Sequence, residues 1–271
     1  MEEKMKNQSE KIDALWQKSE DNFVIQGLKE NRPIEEIYNS IDGIKNTFLE
    51  TPECLACSDG RIHDHRIARA GSGIIAGEKV MIKAAGELIK AGIIKHRFEI
   101  TSHEGCAAAK IALDELKKFG KLKGDITPDE FGKKYARDLV GSLNKIYSDT
   151  EFIYRHIRAD EMEKLHCERV LYYDGTRKFK KIEGLPDGFI FTDMEIEPEE
   201  SIGELIALSD VALSHGFGER FTNDNPFRII VLGENEAQLE KLNHMAQVAV
   251  SSDNISGRTV WHSLNLEKLK L

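Results

Sequence analysis

No apolar run in this 271-residue sequence approaches the roughly 20 residues that a membrane span requires. The opening stretch, MEEKMKNQSEKID, has no apolar segment of the secretory kind, so a cytoplasmic location without a membrane partner is expected. Positive charge is in deficit. The 38 Lys and Arg against 47 Asp and Glu leave a net charge of −9, which gives no electrostatic reason to bind nucleic acid. Prolines number only six, and no internal repeat, low-complexity tract or obvious linker interrupts the pattern. Cysteine is equally sparse, with four: Cys54, Cys57, Cys106 and Cys167. A chain long enough to bury its own core does not need a disulfide framework, so these read as thiols or metal ligands.

Residues 1–48 read as a helical arm, with Ile12, Leu15, Trp16, Phe23 and Ile25 on one apolar face. A second helix begins at Pro33 and carries Ile34, Ile37, Ile41 and Ile44. From residue 49 to about 195 strands and helices alternate. Short strands at 53–56 and 66–70 precede a helix over 77–91. A strand over 96–101 leads into a helix reaching about Phe119. Thr127-Pro128-Asp129-Glu130 is a capping box that starts a helix to about Ile146. Asp174-Gly175 between 169–173 and 178–182 predicts a hairpin. Residues 196–271 form a C-terminal α/β extension packed on the same domain. The expected class is therefore α/β, mainly a parallel sheet flanked by helices.

Two turns fall at strand ends, where parallel sheets build their sites. The first is Cys57-Ser58-Asp59-Gly60-Arg61; the second is Ser102-His103-Glu104-Gly105-Cys106. Thiolate sulfur and imidazole nitrogen are both zinc ligands, and a catalytic zinc keeps a fourth position for water. Cys57, His103 and Cys106 thus form a candidate Zn2+ site. At i, i+2 spacing Arg61 can hold the Asp59 carboxylate off the metal, so that Asp59 orients the hydroxide. Were Arg61 to swing away, Asp59 could close the site instead.

Cys-x-Asp-x-Arg followed by His-x-x-Cys resembles the signature of the β-class carbonic anhydrases, best over residues 50–120. Ser102 and Ala107 stand where that family has glycines, and residues 190–271 do not match its ordinary members. The limiting-CO2-inducible B proteins share the fold and zinc set, and the chain is similar to that branch as well. The resemblance implies a β-carbonic anhydrase-like fold and reversible hydration of CO2 to bicarbonate by zinc-bound hydroxide. It also implies Cys57, His103 and Cys106 as ligands, with Asp59 and Arg61 as the catalytic dyad. By the same resemblance the pocket lies at the interface of a homodimer or higher homo-oligomer, with the N-terminal helices wrapping the partner. Hydrolysis of carbonyl sulfide or carbon disulfide, or a non-catalytic zinc-stabilised regulatory protein, are the alternatives.

Cys54, also spaced for a C-x-x-C pair, lies inside a strand and alternates away from the strand-end site. Cys167 reads as a packed residue. His63 and His65 suit a proton shuttle, but a polar loop histidine is the commoner case and the reading preferred here. His215-Gly216-Phe217-Gly218 is an unusual cluster that could line a pocket; a core-plugging turn is the simpler reading.

Overall fold

The computed structural model describes residues 2–121, 124–194 and 196–269, so the outermost residues of the expected arm and extension lie outside it. Its architecture is α/β, with two four-stranded, all-parallel sheets flanked by helices. The first sheet contains β1 (Cys54–Cys57), β2 (Arg66–Arg69), β3 (Arg97–His103) and β4 (Glu151–Ile157) in the order β2-β1-β3-β4. In the second, β5 (Val170–Asp174), β6 (Gly188–Thr192), β7 (Phe227–Gly233) and β8 (Thr259–Asn265) run β6-β5-β7-β8.

These orders are the same. In each half the first strand lies between its second and third, and the fourth closes the far edge. Helices enter at corresponding points: α4 (Glu78–Lys90) follows β2, while α5 (Ala107–Lys118) and α6 (Pro128–Ile146) follow β3. In the second half α7 (Pro198–Ser214) follows β6 and α8 (Glu236–Val250) follows β7. One topology is therefore used twice, although the two stretches share no visible sequence repeat.

The halves meet along β2 and β6. Ala68 N–H donates to Thr192 Oγ1 at 3.0 Å, and Ile190 N–H donates to Ser58 O at 3.1 Å. Arg69, fully buried at the end of β2, pairs with buried Glu204 of α7 and lies over the Phe191 ring. The second oxygen of Glu204 accepts the Ala70 N–H at 3.0 Å. A charge pair this deep persists because each partner offsets the other's buried charge.

Several expectations are corrected. In place of one main sheet there are two: β5 and β6 hydrogen-bond in one sheet with β7, so the change of sheet comes between β4 and β5. The hairpin is absent, and β5 pairs in parallel with β6. The buried Asp174 carboxylate takes the N–H groups of Thr176, Arg177 and Phe179, which closes a local loop and removes the donors a hairpin ladder would use. The edge strands β4 and β8 escape the hydrophobic pattern because they carry charged and half-exposed residues such as Arg155 and His262.

The arm breaks into α1 (Glu2–Glu20), α2 (Phe23–Lys29) and α3 (Ile34–Asn39). Asn22 caps α2 by accepting the Val24 and Ile25 N–H groups, which explains the break. Val24, Ile25, Ile37 and Tyr38 join one apolar cluster with Tyr172, Ile190 and Ile230. The arm thus covers the second sheet of its own chain. Among the described residues no helix is long and apolar enough to cross a membrane.

Removing Glu204 leaves Arg69 charged and unpaired between the halves. Glu204→Ala is expected to lower unfolding free energy in urea by about 3–5 kcal/mol. A loss below about 1 kcal/mol would show that the pair is not what joins the sheets.

Candidate metal centre

Cys57 ends β1 and His103 ends β3, on strands that pair directly; Cys106 is the N-cap of α5 three residues on. Their ligand atoms lie within 4.8 Å of one another, and all three residues are buried. Cys57 Sγ and Cys106 Sγ are 4.0 Å apart. Two thiolates at about 2.3 Å from one tetrahedral ion would sit roughly 3.8 Å apart, so the spacing fits a shared ion. His103 Nδ1 is bonded to Glu104 O at 2.9 Å, while its buried Nε2 has no partner. Metal-bound histidines characteristically fix one ring nitrogen on a carbonyl or carboxylate and leave the other for the metal. The three residues fit a metal ion.

The thiols respond to one another and to burial. The hydrogen bond from Cys106, helped by His103, holds the Cys57 thiol below its ordinary range against the opposing effect of burial. The same bond and burial push Cys106 up. Cys57 Sγ also accepts the Gly71 N–H at 3.3 Å. That contact depends on glycine. Gly71 has φ +56, and a Cβ there would lie 2.6 Å from Ile74 Cγ2 and 3.1 Å from Ala108 Cβ. Its neighbour Ser72 also holds a left-handed φ of 58 and donates to Thr101 O at 2.6 Å, tying this turn to β3.

Asp59 is not among the three. Arg61 grips it, with Nη2 donating to Oδ2 at 2.6 Å and Nε to Oδ1 at 3.0 Å, and the Arg61 N–H adds a further bond at 3.0 Å. Burial alone would raise this carboxyl, but the Arg61 hydrogen bond and the neighbouring positive charges take it down to about 2. Sequence reasoning missed the residue that shapes the turn. Arg66, buried on β2, donates from Nε to Cys57 O at 3.0 Å and from Nη2 to Asp59 O at 2.9 Å. It gives no motif signal, because its partners are backbone carbonyls.

Beside these groups lies a cavity of about 40 Å3 with mainly apolar walls. Cys57, Asp59 and Ala108 line one side; Phe189, Leu208 and Val211 of the second half line the other, with His166. Both of these sides come from the one chain. Neither sequence-predicted shuttle candidate reaches it: His63 pairs with Glu163 at 3.3 Å, and His65 bonds Lys178 O at 3.1 Å. Cys54 points to His65 O, and burial pushes its thiol up to about 12. Cys167 is buried and likewise raised, as expected of a packed thiol.

Among the described residues the second half carries no copy of the cluster. Asp174 ends β5 as Cys57 ends β1, Gly233 ends β7 as His103 ends β3, and Asn235 caps α8 where Cys106 caps α5.

Compared with known proteins, the chain matches no family model, no curated protein and no solved structure. The fold and the site define an α/β protein of two all-parallel sheets with a buried Cys-His-Cys group able to bind a metal ion.

Two outcomes follow for the isolated protein. Elemental analysis after dialysis should find a single tightly held divalent ion per chain, lost in Cys57→Ser and His103→Ala and retained in Cys54→Ser. Retention in the first two variants would contradict the assignment. The folded-state pKa of Asp59 lies below its unfolded value of about 4, so its ionisation stabilises the fold above that pH and stops doing so as pH falls toward about 2. The stability gap between wild type and Asp59→Asn, followed by urea unfolding, should be level down to about pH 5 and shrink below about pH 4. A gap that widens on acidification would mean that the carboxyl is not held ionised.

Proposed function

We propose that the chain is a β-carbonic anhydrase-like enzyme, holding zinc on Cys57, His103 and Cys106 and interconverting CO2 and bicarbonate. The observation that carries this reading is the Arg61-held, ionised Asp59 beside an apolar cavity that also touches Cys57. When bound, zinc supplies Lewis acidity that lowers the pKa of water to near neutrality.

The protein groups divide the remaining work. An ionised Asp59 is an acceptor only, so it takes the O–H of the attacking water and turns a lone pair toward the cavity. Arg61 fixes that carboxylate with side-chain and backbone donors and keeps it from rotating toward the thiolates. Arg66 keeps the Cys57 and Asp59 carbonyls in place, so ligand and acceptor stay in register. Phe189, Leu208 and Val211 make the opposite wall apolar, which suits an uncharged linear substrate and keeps bulk water off carbon. Carbonyl sulfide and carbon disulfide would use the same groups, and a cavity of about 40 Å3 favours the smallest of the three. A purely structural zinc with Asp59 as fourth ligand requires breaking the Arg61 grip, which supports the catalytic reading over it. The Phe189, Leu208 and Val211 wall of the pocket comes from this chain.

Stopped-flow CO2 hydration with zinc-loaded protein tests this. Wild type should exceed the uncatalysed rate, Asp59→Ala should lose about 10²-fold or more, and Cys57→Ser should be inactive. Wild type at the rate of buffer alone, or equal to both variants, would contradict it.

A further inference from the structure

Hydration of CO2 releases a proton that must leave the pocket, and both carboxylate oxygens of Asp59 are already engaged by Arg61. We propose that His166, oriented by Glu168, takes that proton and passes it to His215 at the surface. This inference rests on the CO2 reading above. In the step, one O–H bond of a pocket water breaks before CO2 is attacked; the hydroxide left then bonds to carbon, and the proton sits on the free ring nitrogen of His166. His166 then loses it to His215, and His215 to buffer, so both imidazoles return to their starting state.

The geometry is that of a relay. His166 lines the cavity, and a polar atom of its ring lies within 4.8 Å of the Asp59 and Glu168 carboxylates. Its Nδ1 is bonded to Glu168 Oε1 at 3.0 Å and Oε2 at 3.2 Å, which fixes the tautomer and leaves Nε2 for proton exchange. Glu168 is nearly inaccessible, with its side chain 5% exposed, whereas His166 is 27% exposed and bridges cavity and surface. Burial would lower the His166 pKa; the Glu168 hydrogen bond and the Glu168 and Asp59 charges outweigh burial and the opposing Arg61, and the net movement is upward. An imidazole so placed can take a proton near neutral pH.

His215 completes the path outward. Its ring centroid is 6.5 Å from that of His166, and the residue is exposed. Its Nδ1 is held by Ser214 Oγ at 2.9 Å and Val211 O at 3.2 Å, which leaves the far nitrogen for solvent. The approach depends on Gly216, with φ +54: a Cβ there would lie 2.6 Å from His166 O and 2.9 Å from His166 Cβ. The His-Gly-Phe-Gly cluster therefore lets an exposed histidine sit against one that lines the cavity.

Oxygen-isotope exchange between CO2 and water at chemical equilibrium separates two rates in the zinc-loaded protein. One is CO2–bicarbonate interconversion; the other is release of labelled water, which requires proton transfer. His166→Ala should slow water release about tenfold or more while interconversion falls far less, and added imidazole should restore it. His215→Ala should slow the same rate by a smaller factor. As a readout independent of turnover, NMR titration should show the His166 pKa falling in Glu168→Gln, since the orienting charge is gone. Unchanged water release in His166→Ala, a parallel fall of both rates without imidazole rescue, or a His166 titration indifferent to Glu168→Gln would each overturn the relay. Wild type with no exchange at all would instead remove the CO2 reading, and the relay with it.

Discussion

A buried polar atom without a partner is costly, and His103 Nε2 is such an atom, facing two buried sulfurs. The surrounding structure holds this arrangement in place. Adjacent parallel strands bring Cys57 and His103 to the same sheet end, and the N-terminus of α5 delivers Cys106 to the same point. The left-handed turn at Gly71 and Ser72 supplies an N–H to Cys57 Sγ, and Arg66 locks the carbonyls of the Cys57–Asp59 turn. A cation among the three ligand atoms resolves the otherwise unfavourable burial of thiols and imidazole together.

The second half supplies the far side of the cavity beside this site. It repeats the β2-β1-β3-β4 order as β6-β5-β7-β8, and it meets the first half where β2 and β6 run side by side. Its own strand ends are occupied by Asp174 and Gly233, with Asn235 as helix cap. Asp174 is engaged by the N–H groups of its own loop, and burial raises its carboxyl to about 6. This half contributes Phe189, Leu208 and Val211 to the cavity's apolar wall, with His166 beside them. The Arg69–Glu204 pair keeps wall and metal turn at a fixed separation, because Arg69 is the parallel partner of Cys57 in the sheet.

What the sequence revealed and what it hid follow from which interactions are local. The capping box at Thr127 and Glu130, the strand-end position of Cys57 and the His103–Cys106 spacing are short-range features, and each is present as expected. The inward direction of Cys57 against Cys54 follows from strand alternation alone. Arg66, Arg69 and His166 were invisible because their roles depend on partners far along the chain or on backbone carbonyls. The repeated topology was hidden for a related reason: parallel pairing fixes strand order without requiring the same residues. Asp174-Gly175 misled because a turn signal states that the chain bends, not which strand it next joins.

X-ray absorption spectroscopy at the zinc edge of the purified protein bears most directly on the central claim. The account predicts two sulfur neighbours at about 2.3 Å, one imidazole nitrogen at about 2.0 Å and one further light atom. That light atom should exchange with added anions while Arg61 is intact. Four protein ligands with no exchangeable position, or a shell without sulfur, would contradict it.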